Sequence, residues 1–209
     1  TAFAEEKCSF SDEEFNDSIS IIKKSQKPFI YAGGGVISSD ASDELVKFAE
    51  LIDAPIGTSM MALSAVSYEN PRFLGMTGMH GKYASSMAMA NSDLIIAVGT
   101  RFSDRATGNK KEFSNGKKII HIDIDPAEIG KNIPVYVSLI GDVKKVLKKL
   151  NGALNKRERT EWHKEIEDIK NNPDSHLEMD SGRLTPQAVI EAVRKFTAKD
   201  DVIATDVGQ

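Results

Sequence analysis

Leu94-Ile95-Ile96-Ala97-Val98-Gly99-Thr100-Arg101-Phe102-Ser103-Asp104-Arg105 is the stretch on which the rest of the chain turns. Its first five residues are apolar without alternation. A strand with one wet face would alternate, so this run fits a strand buried on both faces, as in a parallel sheet covered by helices. It stops at a glycine, and two arginines four positions apart follow. The same pattern recurs on either side. Upstream, Pro28-Phe29-Ile30-Tyr31-Ala32 runs into Gly33-Gly34-Gly35; downstream, Lys118-Ile119-Ile120-His121-Ile122-Asp123-Ile124 runs into Asp125-Pro126. Further strands are expected over 54–59 and 135–139.

Amphipathic helices separate these strands. A capping box, Ser11-x-x-Glu14, opens a helix with Phe15, Ile19 and Ile22 on one side. Ser38 or Ser39 is expected to cap a helix striped by Ala41, Leu45, Phe48, Ala49 and Ile52. A helix is expected over 82–91. Gly141-Asp142 caps another with Val143, Val146, Leu147, Leu150 and Leu154 turned inward. Right-handed crossovers then give an α/β fold, a doubly wound parallel sheet with helices on both faces. No element is assigned over 60–80. After Asn155 the composition changes: 156–172 is heavily charged with a thin seam of Trp162, Ile166 and Ile169, and 171–184 reads as a linker. Thr185-Pro186 starts a helix, and 202–205 reads as a strand. That closing strand, and the opening on Thr1 rather than Met, suggest a segment cut from a longer protein.

Composition narrows the function classes. At 209 residues the chain has the length of one large α/β domain, or one domain and part of another. A chain this long buries roughly 70% of its unfolded surface, so folding requires neither disulfide nor metal. Apolar residues make up 40% and charged residues 28%, ordinary for a globular domain. A net charge of −4 argues against non-specific binding to nucleic acid or anionic membrane. The Lys pairs at 110–111, 117–118, 144–145 and 148–149 are dispersed among acids and read as solvated faces. The single Cys8 can form no internal disulfide and suggests a reducing, cytoplasmic setting. No apolar run approaches the ~20 residues of a membrane span.

Ligands of open parallel sheets sit beyond the C-terminal ends of the strands, so the residues following each strand are the candidates. Gly33, Gly34 and Gly35 either bring backbone N–H groups close to a phosphate or make a tight strand-to-helix turn. Their spacing, Gly33, Gly35, Ser38, falls short of the dinucleotide fingerprint. Arg101 and Arg105 suit bidentate phosphate contacts, or pair with Asp104 on the surface. Asp123 stands where an acid often takes ribose hydroxyls. Asp125 reads as the cap of a short helix, and Asp142 as a cap or a nucleotide contact. His80 precedes a helix; His121, inside a strand, reads as a satisfied core histidine. No metal-site spacing and no nucleophile, base and acid arrangement is present. The composite is a nucleotide held by glycines, arginines and strand-end acids.

Several stretches together resemble the large subunit of the acetolactate (acetohydroxyacid) synthase family. They are Tyr31-Ala32-Gly33-Gly34-Gly35-Val36, Ala54-Pro55-Ile56, Gly78-Met79-His80-Gly81, Asp93 to Gly99 with Arg101-Phe102-x-Asp104-Arg105-x-Thr107-Gly108, Ile122-Asp123-Ile124-Asp125-Pro126, and Thr205-Asp206-Val207-Gly208-Gln209. They occur in the family's order over nearly the whole chain, and the Gly-Met-His-Gly and Arg-Phe-x-Asp-Arg pair is the most specific. The resemblance implies a central FAD-binding-type domain over 1–155, a linker over 156–184, and over 185–209 the start of the C-terminal domain that binds thiamine diphosphate through Mg²⁺. It implies an enzyme that joins two pyruvates, or pyruvate and 2-oxobutyrate, with loss of CO₂ in branched-chain amino-acid biosynthesis. It further implies a homo-oligomer, with a small regulatory subunit in some members. FAD is not turned over in the family's net reaction, and the fragment alone is expected to be inactive. Positions matching the family's FAD contacts are Gly33, Gly34, Ser59, Met60, Met79, His80, Gly81, Gly99, Arg101, Arg105, Asp123, Ile124 and Asp142.

Two positions depart from the family pattern. Ser103 stands where the family commonly has an acid, and Lys82 where a small hydroxyl residue often follows His-Gly. Two other readings compete: a purely architectural middle domain of a flavin-independent thiamine-diphosphate enzyme, and a nicotinamide-nucleotide-binding module of similar topology.

Overall fold

The structure is a computed structural model describing residues 9–172, 184–198 and 200–205; the side chains of Asp104, Arg105, Lys111, Glu112 and Gln187 lie outside the description. Cys8, the linker over 173–183 and the closing residues 206–209 likewise lie outside the described residues. Six strands, β1 (Pro28–Ala32), β2 (Ile56–Thr58), β3 (Phe73–Met76), β4 (Leu94–Val98), β5 (Lys118–Asp123) and β6 (Val137–Ile140), form one sheet in the order β3-β2-β1-β4-β5-β6. Every pairing is parallel, so all C-terminal strand ends share one edge. The winding direction reverses between β1 and β4, which opens a crevice there.

The helices are α1 (Asp12–Lys24), α2 (Gly35–Ser38), α3 (Ser42–Ile52), α4 (Tyr83–Asn91), α5 (Asp104–Thr107), α6 (Lys110–Ser114), α7 (Val143–Ala153), α8 (Thr160–Lys170) and α9 (Pro186–Phe196). Side chains alternate along each strand, and the unbroken apolar runs supply both faces. Ile30, Ala32, Ile96, Val98, Ile120 and Ile122 join one core with Ile22 of α1, Leu45 and Phe48 of α3, and Val146, Leu147 and Leu150 of α7. Phe29, Tyr31, Ile95, Ala97 and Ile119 join a second with Ala88 and Met89 of α4 and Trp162 and Ile166 of α8. The sheet is doubly wound, as the strand reading required.

Local rules hold in most places. Glu14 N donates to Ser11 Oγ at 3.1 Å while Ser11 N donates to Glu14 Oε2 at 2.7 Å, the reciprocal capping box. The start of α3 is different from expectation. Ser38 and Ser39 belong to the end of the short α2 helix, and Asp40 turns left-handed (φ 50°) before α3 begins at Ser42 behind Ala41. Ser38 Oγ donates back to Gly34 O at 3.2 Å and caps nothing. The unassigned 60–80 region contains a 3₁₀ turn, Met60–Ala65, and the edge strand β3. β3 is four residues with Gly75 at φ 88° and a register shift against β2, features that hide a strand from pattern reading.

The larger correction concerns the charged stretch after Asn155. Its first half is not a connection: the compact unit runs to Ser175, and α8 closes the second core. Trp162 is 2% exposed and its Nε1 donates to Pro28 O at 3.0 Å. Two buried anchors per helix suffice to seat it, so a charged composition concealed a packed element. The residues from His176 onward form a second unit. In it Thr185 Oγ1 accepts from Ala188 N at 3.1 Å, with Pro186 in the first turn of α9. Residues 202–205 form no strand. A strand's N–H and C=O groups require a neighbour, and the described residues of this unit provide none.

Candidate functional site

Twelve of the thirteen positions singled out from sequence are described in full, and all thirteen follow the C-terminal end of a strand or stand at it. Gly33 and Gly34 follow β1; Ser59 and Met60 follow β2; Met79, His80 and Gly81 follow β3; Gly99, Arg101 and Arg105 follow β4. Asp123 ends β5 with Ile124 next to it, and Asp142 follows β6. The parallel sheet therefore assembles them along one edge from six separate loops. Arg105 lies in α5, but its side chain is outside the described residues.

Gly33 and Gly35 have a packing task at this edge. Gly33 N donates to Val98 O at 2.8 Å and Gly35 N to Gly99 O at 3.0 Å. A Cβ on Gly33 would overlap Gly99 O, and one on Gly35 would lie 2.7 Å from Gly99 Cα. Gly99 itself has φ 58°. The β1 and β4 turns thus pass in backbone contact, and side chains are excluded by protein rather than by ligand. The Gly34 amide has no partner among the described residues and remains available.

Around that junction the edge is apolar and open. Met60, Met61 and Met79 are 74%, 75% and 75% exposed, and Ile124 is 45% exposed. Large exposed side chains gathered at one edge are uncommon on a monomer's surface and mark a contact surface. His80 stands exposed beside Met79. Its loop is held from below: Thr77 Oγ1 lies 2.6 Å from Ser85 Oγ, Ser85 Oγ donates to Gly75 O at 3.2 Å, and Lys82 N donates to Met76 O at 2.8 Å. Lys82 Nζ donates to Tyr68 Oη at 2.8 Å.

Arg101 is exposed, and its guanidinium has no ion pair among the described residues. The acids are more committed. Asp123 Oδ1 accepts from Asp125 N at 3.0 Å, and Asp125 Oδ1 from Ala127 N at 2.9 Å, making Asp125 the expected short-helix cap. Asp142 Oδ1 accepts from Lys145 N at 2.9 Å and caps α7, the structural reading of that residue.

Sequence reasoning missed what lies under the arginine. Phe102 adopts φ 50° yet is 2% exposed. A left-handed non-glycine costs about 1–3 kcal/mol, so its surroundings must hold it. They are aromatic: Tyr31 at 6.0 Å, Phe113 at 5.8 Å and His121 at 5.1 Å between ring centroids. His121 is fully buried, with Nε2 2.9 Å from Thr100 O and Nδ1 unpartnered, so the core histidine is only half satisfied. Burial holds its imidazole below the usual value despite the Thr100 carbonyl and the Asp123 carboxylate. Burial likewise raises the Tyr31 phenol, against a hydrogen bond from Thr100. An apolar residue wedged between exposed Arg101 and Ser103 was the available sequence signal. A separate open hollow of about 670 Å³ lies between α3 and the 3₁₀ turn, lined by Val46, Lys47, Glu50, Val66 and Asn70, away from all these residues.

Comparison with known proteins agrees with this geometry. Residues 15–150, more than half the chain, match the family described as "Thiamine pyrophosphate enzyme, central domain". The chain belongs to that family. The central domain so matched spans α1 to α7 and the whole sheet. Among curated relatives, an acetolactate synthase large subunit of Haemophilus influenzae is 40% identical over 190 residues, covering 88% of this chain and 33% of that protein. One from Buchnera aphidicola subsp. Schlechtendalia chinensis is 39% identical, covering 94% and 35%. A probable acetolactate synthase large subunit of Methanococcus aeolicus is 37% identical, covering 94% and 36%. The chain thus spans about a third of the length of these relatives. No helix among the described residues is long and apolar enough to cross a membrane.

Proposed function

We propose that this chain is the central domain of an acetolactate synthase large subunit and that it holds FAD along the C-terminal edge of its sheet. The observation that supports this most is the convergence at one edge of a guanidinium and a glycine amide, both without partners among the described residues, and a row of exposed methionines. Their chemistry suits a dinucleotide that carries a flat apolar ring. Arg101 and the Gly34 amide would take the diphosphate. Met60, Met79 and Ile124 would lie against the ring system, with His80 and Gly81 beside them, and Ser59 and Gly99 would line the floor. Asp123 and Asp142 retain one carboxylate oxygen each beyond their backbone bonds, enough for ribose hydroxyls. Arg105, one turn on, is assigned to the same anion on the family pattern.

FAD supplies a structural filling in this reading, since the family reaction leaves it unchanged. The chain's own residues bind and orient it and exclude water from the crevice. The carbanion chemistry belongs to thiamine diphosphate and Mg²⁺ on other parts of the whole enzyme. That enzyme would be a cytoplasmic homo-oligomeric transferase acting on pyruvate and 2-oxobutyrate, with a regulatory subunit as a further partner. The present segment would bind cofactor without turning over substrate. Titration of the chain with FAD, followed by flavin fluorescence, tests the reading. Saturable binding that Arg101→Ala weakens, with no response to NAD, is expected. A folded chain that ignores FAD, repeated with the full-length subunit, would favour the architectural reading.

A further inference from the structure

Three successive carbonyls at the end of β4 are captured by three different parts of the chain. Gly99 O accepts from Gly35 N at 3.0 Å, Thr100 O lies 2.9 Å from His121 Nε2, and Arg101 O accepts from Asn132 Nδ2 at 3.0 Å. A carbonyl oxygen only accepts, so Nε2 of His121 carries the proton and Nδ1 is the bare nitrogen. Nδ1 is buried without a partner among the described residues. The Thr100 bond and the edge contact with Phe102 are therefore what orient the ring. Asn132 has its own holder: Lys110 Nζ donates to Asn132 Oδ1 at 3.1 Å, which turns the amide nitrogen toward Arg101 O.

The consequence is geometric. Arg101 lies between two planar peptide units, one containing the Thr100 carbonyl and the other its own. Fixing both planes fixes φ and ψ at Arg101, and with them the direction of its Cα–Cβ bond. Phe102, buried at φ 50°, locks the next residue. The guanidinium has no ion pair among the described residues, yet the backbone from which the side chain springs is restrained on both sides.

We propose that His121 and Asn132 are positioning residues that aim Arg101 through its backbone, His121 from beneath and Asn132 from the side. Neither is assigned a ligand contact. The functional half of this proposal rests on the reading of Arg101 as a cofactor-binding residue; the clamp itself does not. Preorganising a cation in this manner removes the ordering cost that a ligand would otherwise meet on binding.

The chain in solution, without FAD, gives the first measurement. Asn132→Asp retains the Lys110 contact and the side-chain size but sets an acceptor against Arg101 O. His121→Phe fills the space without a donor, whereas His121→Gln places an amide nitrogen near the position of Nε2. Hydrogen–deuterium exchange over residues 99–103 is expected to quicken at least about tenfold in N132D and H121F as local opening becomes easier, with β1 and β4 unchanged. H121Q is expected to restore most of the protection. Unchanged exchange in both variants would overturn the clamp.

FAD affinity gives the second measurement. N132D is expected to weaken FAD binding about tenfold in the unaltered chain and not at all on an Arg101→Ala background, the non-additivity of residues acting through one another. An equal loss on both backgrounds would mean a general structural effect and overturn the aiming role. Failure of the unaltered chain to take up FAD would fall on the cofactor reading of Arg101, while the exchange result still upholds or overturns the clamp.

Discussion

The two edges of the same sheet treat Arg159 and Arg101 in opposite ways. At the N-terminal edge the charges of Arg159 and Asp93 are enclosed or half-buried and bonded. The Arg159 guanidinium, 5% exposed, donates to the carbonyls of Ile22, Ser25 and Ile52 at the ends of α1 and α3, while its amide donates to Asp53 Oδ2 at 2.6 Å. Asp93 accepts from Ser25 Oγ and from the amides of Gln26 and Lys27. At the C-terminal edge Arg101 and His80 are exposed, and so are Met60, Met61 and Met79. Helix C-termini present orphan carbonyls, and a buried arginine answers them at one edge. At the other edge Arg101 has no ion pair among the described residues. Buried, bonded charge belongs to the fold at the one edge, and exposed charge at the strand switch point is what the proposed cofactor would meet at the other.

The strongest way to break this contrast is Arg159→Ala. It strips donors from three buried carbonyls, each worth about 1–3 kcal/mol when left unsatisfied, so a loss of at least about 3 kcal/mol is expected in urea unfolding. Burial draws the guanidinium down to about 10, and the Arg157 charge contributes to this, yet Arg159 stays charged at neutral pH. FAD affinity of the remaining folded chain should not change. A loss below about 1 kcal/mol would mean that the N-terminal edge is not held by this residue.

Arg101→Ala should show the reverse pattern. Removing a charged hydrogen bond to an anion costs about 1.5–3 kcal/mol of binding, roughly 10- to 100-fold in FAD affinity. Stability should shift by no more than about 0.5 kcal/mol, as for other exposed positions free of special contacts. If urea midpoints fall while affinity holds, the two edges do not differ in the manner argued.

These edges were unequally legible in the sequence. The apolar runs at 28–32, 94–98 and 118–123 announced the central strands because both faces are buried, and Ser11 with Glu14 announced α1. Strand-end topology pointed to the glycines after β1, Arg101, Arg105, Asp123 and Asp142 as candidates, and the family resemblance supplied the others. What escaped was contact information. Gly33 and Gly35 carry the same letters whether a phosphate or the Gly99 turn lies against them. Arg159 looked like one charge in a charged stretch because nothing local reveals that three carbonyls surround it. Phe102 and His121 are nineteen positions apart, and only the β4–β5 register sets them ring to ring.

His121 offers a subtler comparison, because it is a buried titratable group beneath the open edge. Burial holds its imidazole below the ordinary 6.5 in the native state. The unfolded chain therefore binds the proton first as pH falls. Native stability from this residue is complete above about 6.5 and declines below it, with a slope of at most about 1.4 kcal/mol per pH unit. Thermal unfolding at pH 7.5, 6.5 and 5.5 should show the wild-type chain losing stability faster than His121→Phe across that window. Parallel curves would show that the imidazole is not held neutral.

The finest discrimination concerns Asp142, which belongs to both descriptions at once. As the cap of α7 it is structural; as a strand-end acid it faces the proposed ribose. Asn caps helices about as well as Asp, so Asp142→Asn should change stability by only a few tenths of a kcal/mol, whereas Asp142→Ala should cost about 1 kcal/mol. The oxygen engaged with Lys145 N survives in the Asn variant, but the second oxygen becomes an amide donor. A ribose hydroxyl that donates to that second oxygen would lose its acceptor. Weaker FAD binding by Asp142→Asn at unchanged stability would place Asp142 with the open edge. Equal affinity in both proteins would confine it to capping, and the ribose would then fall to Asp123 alone.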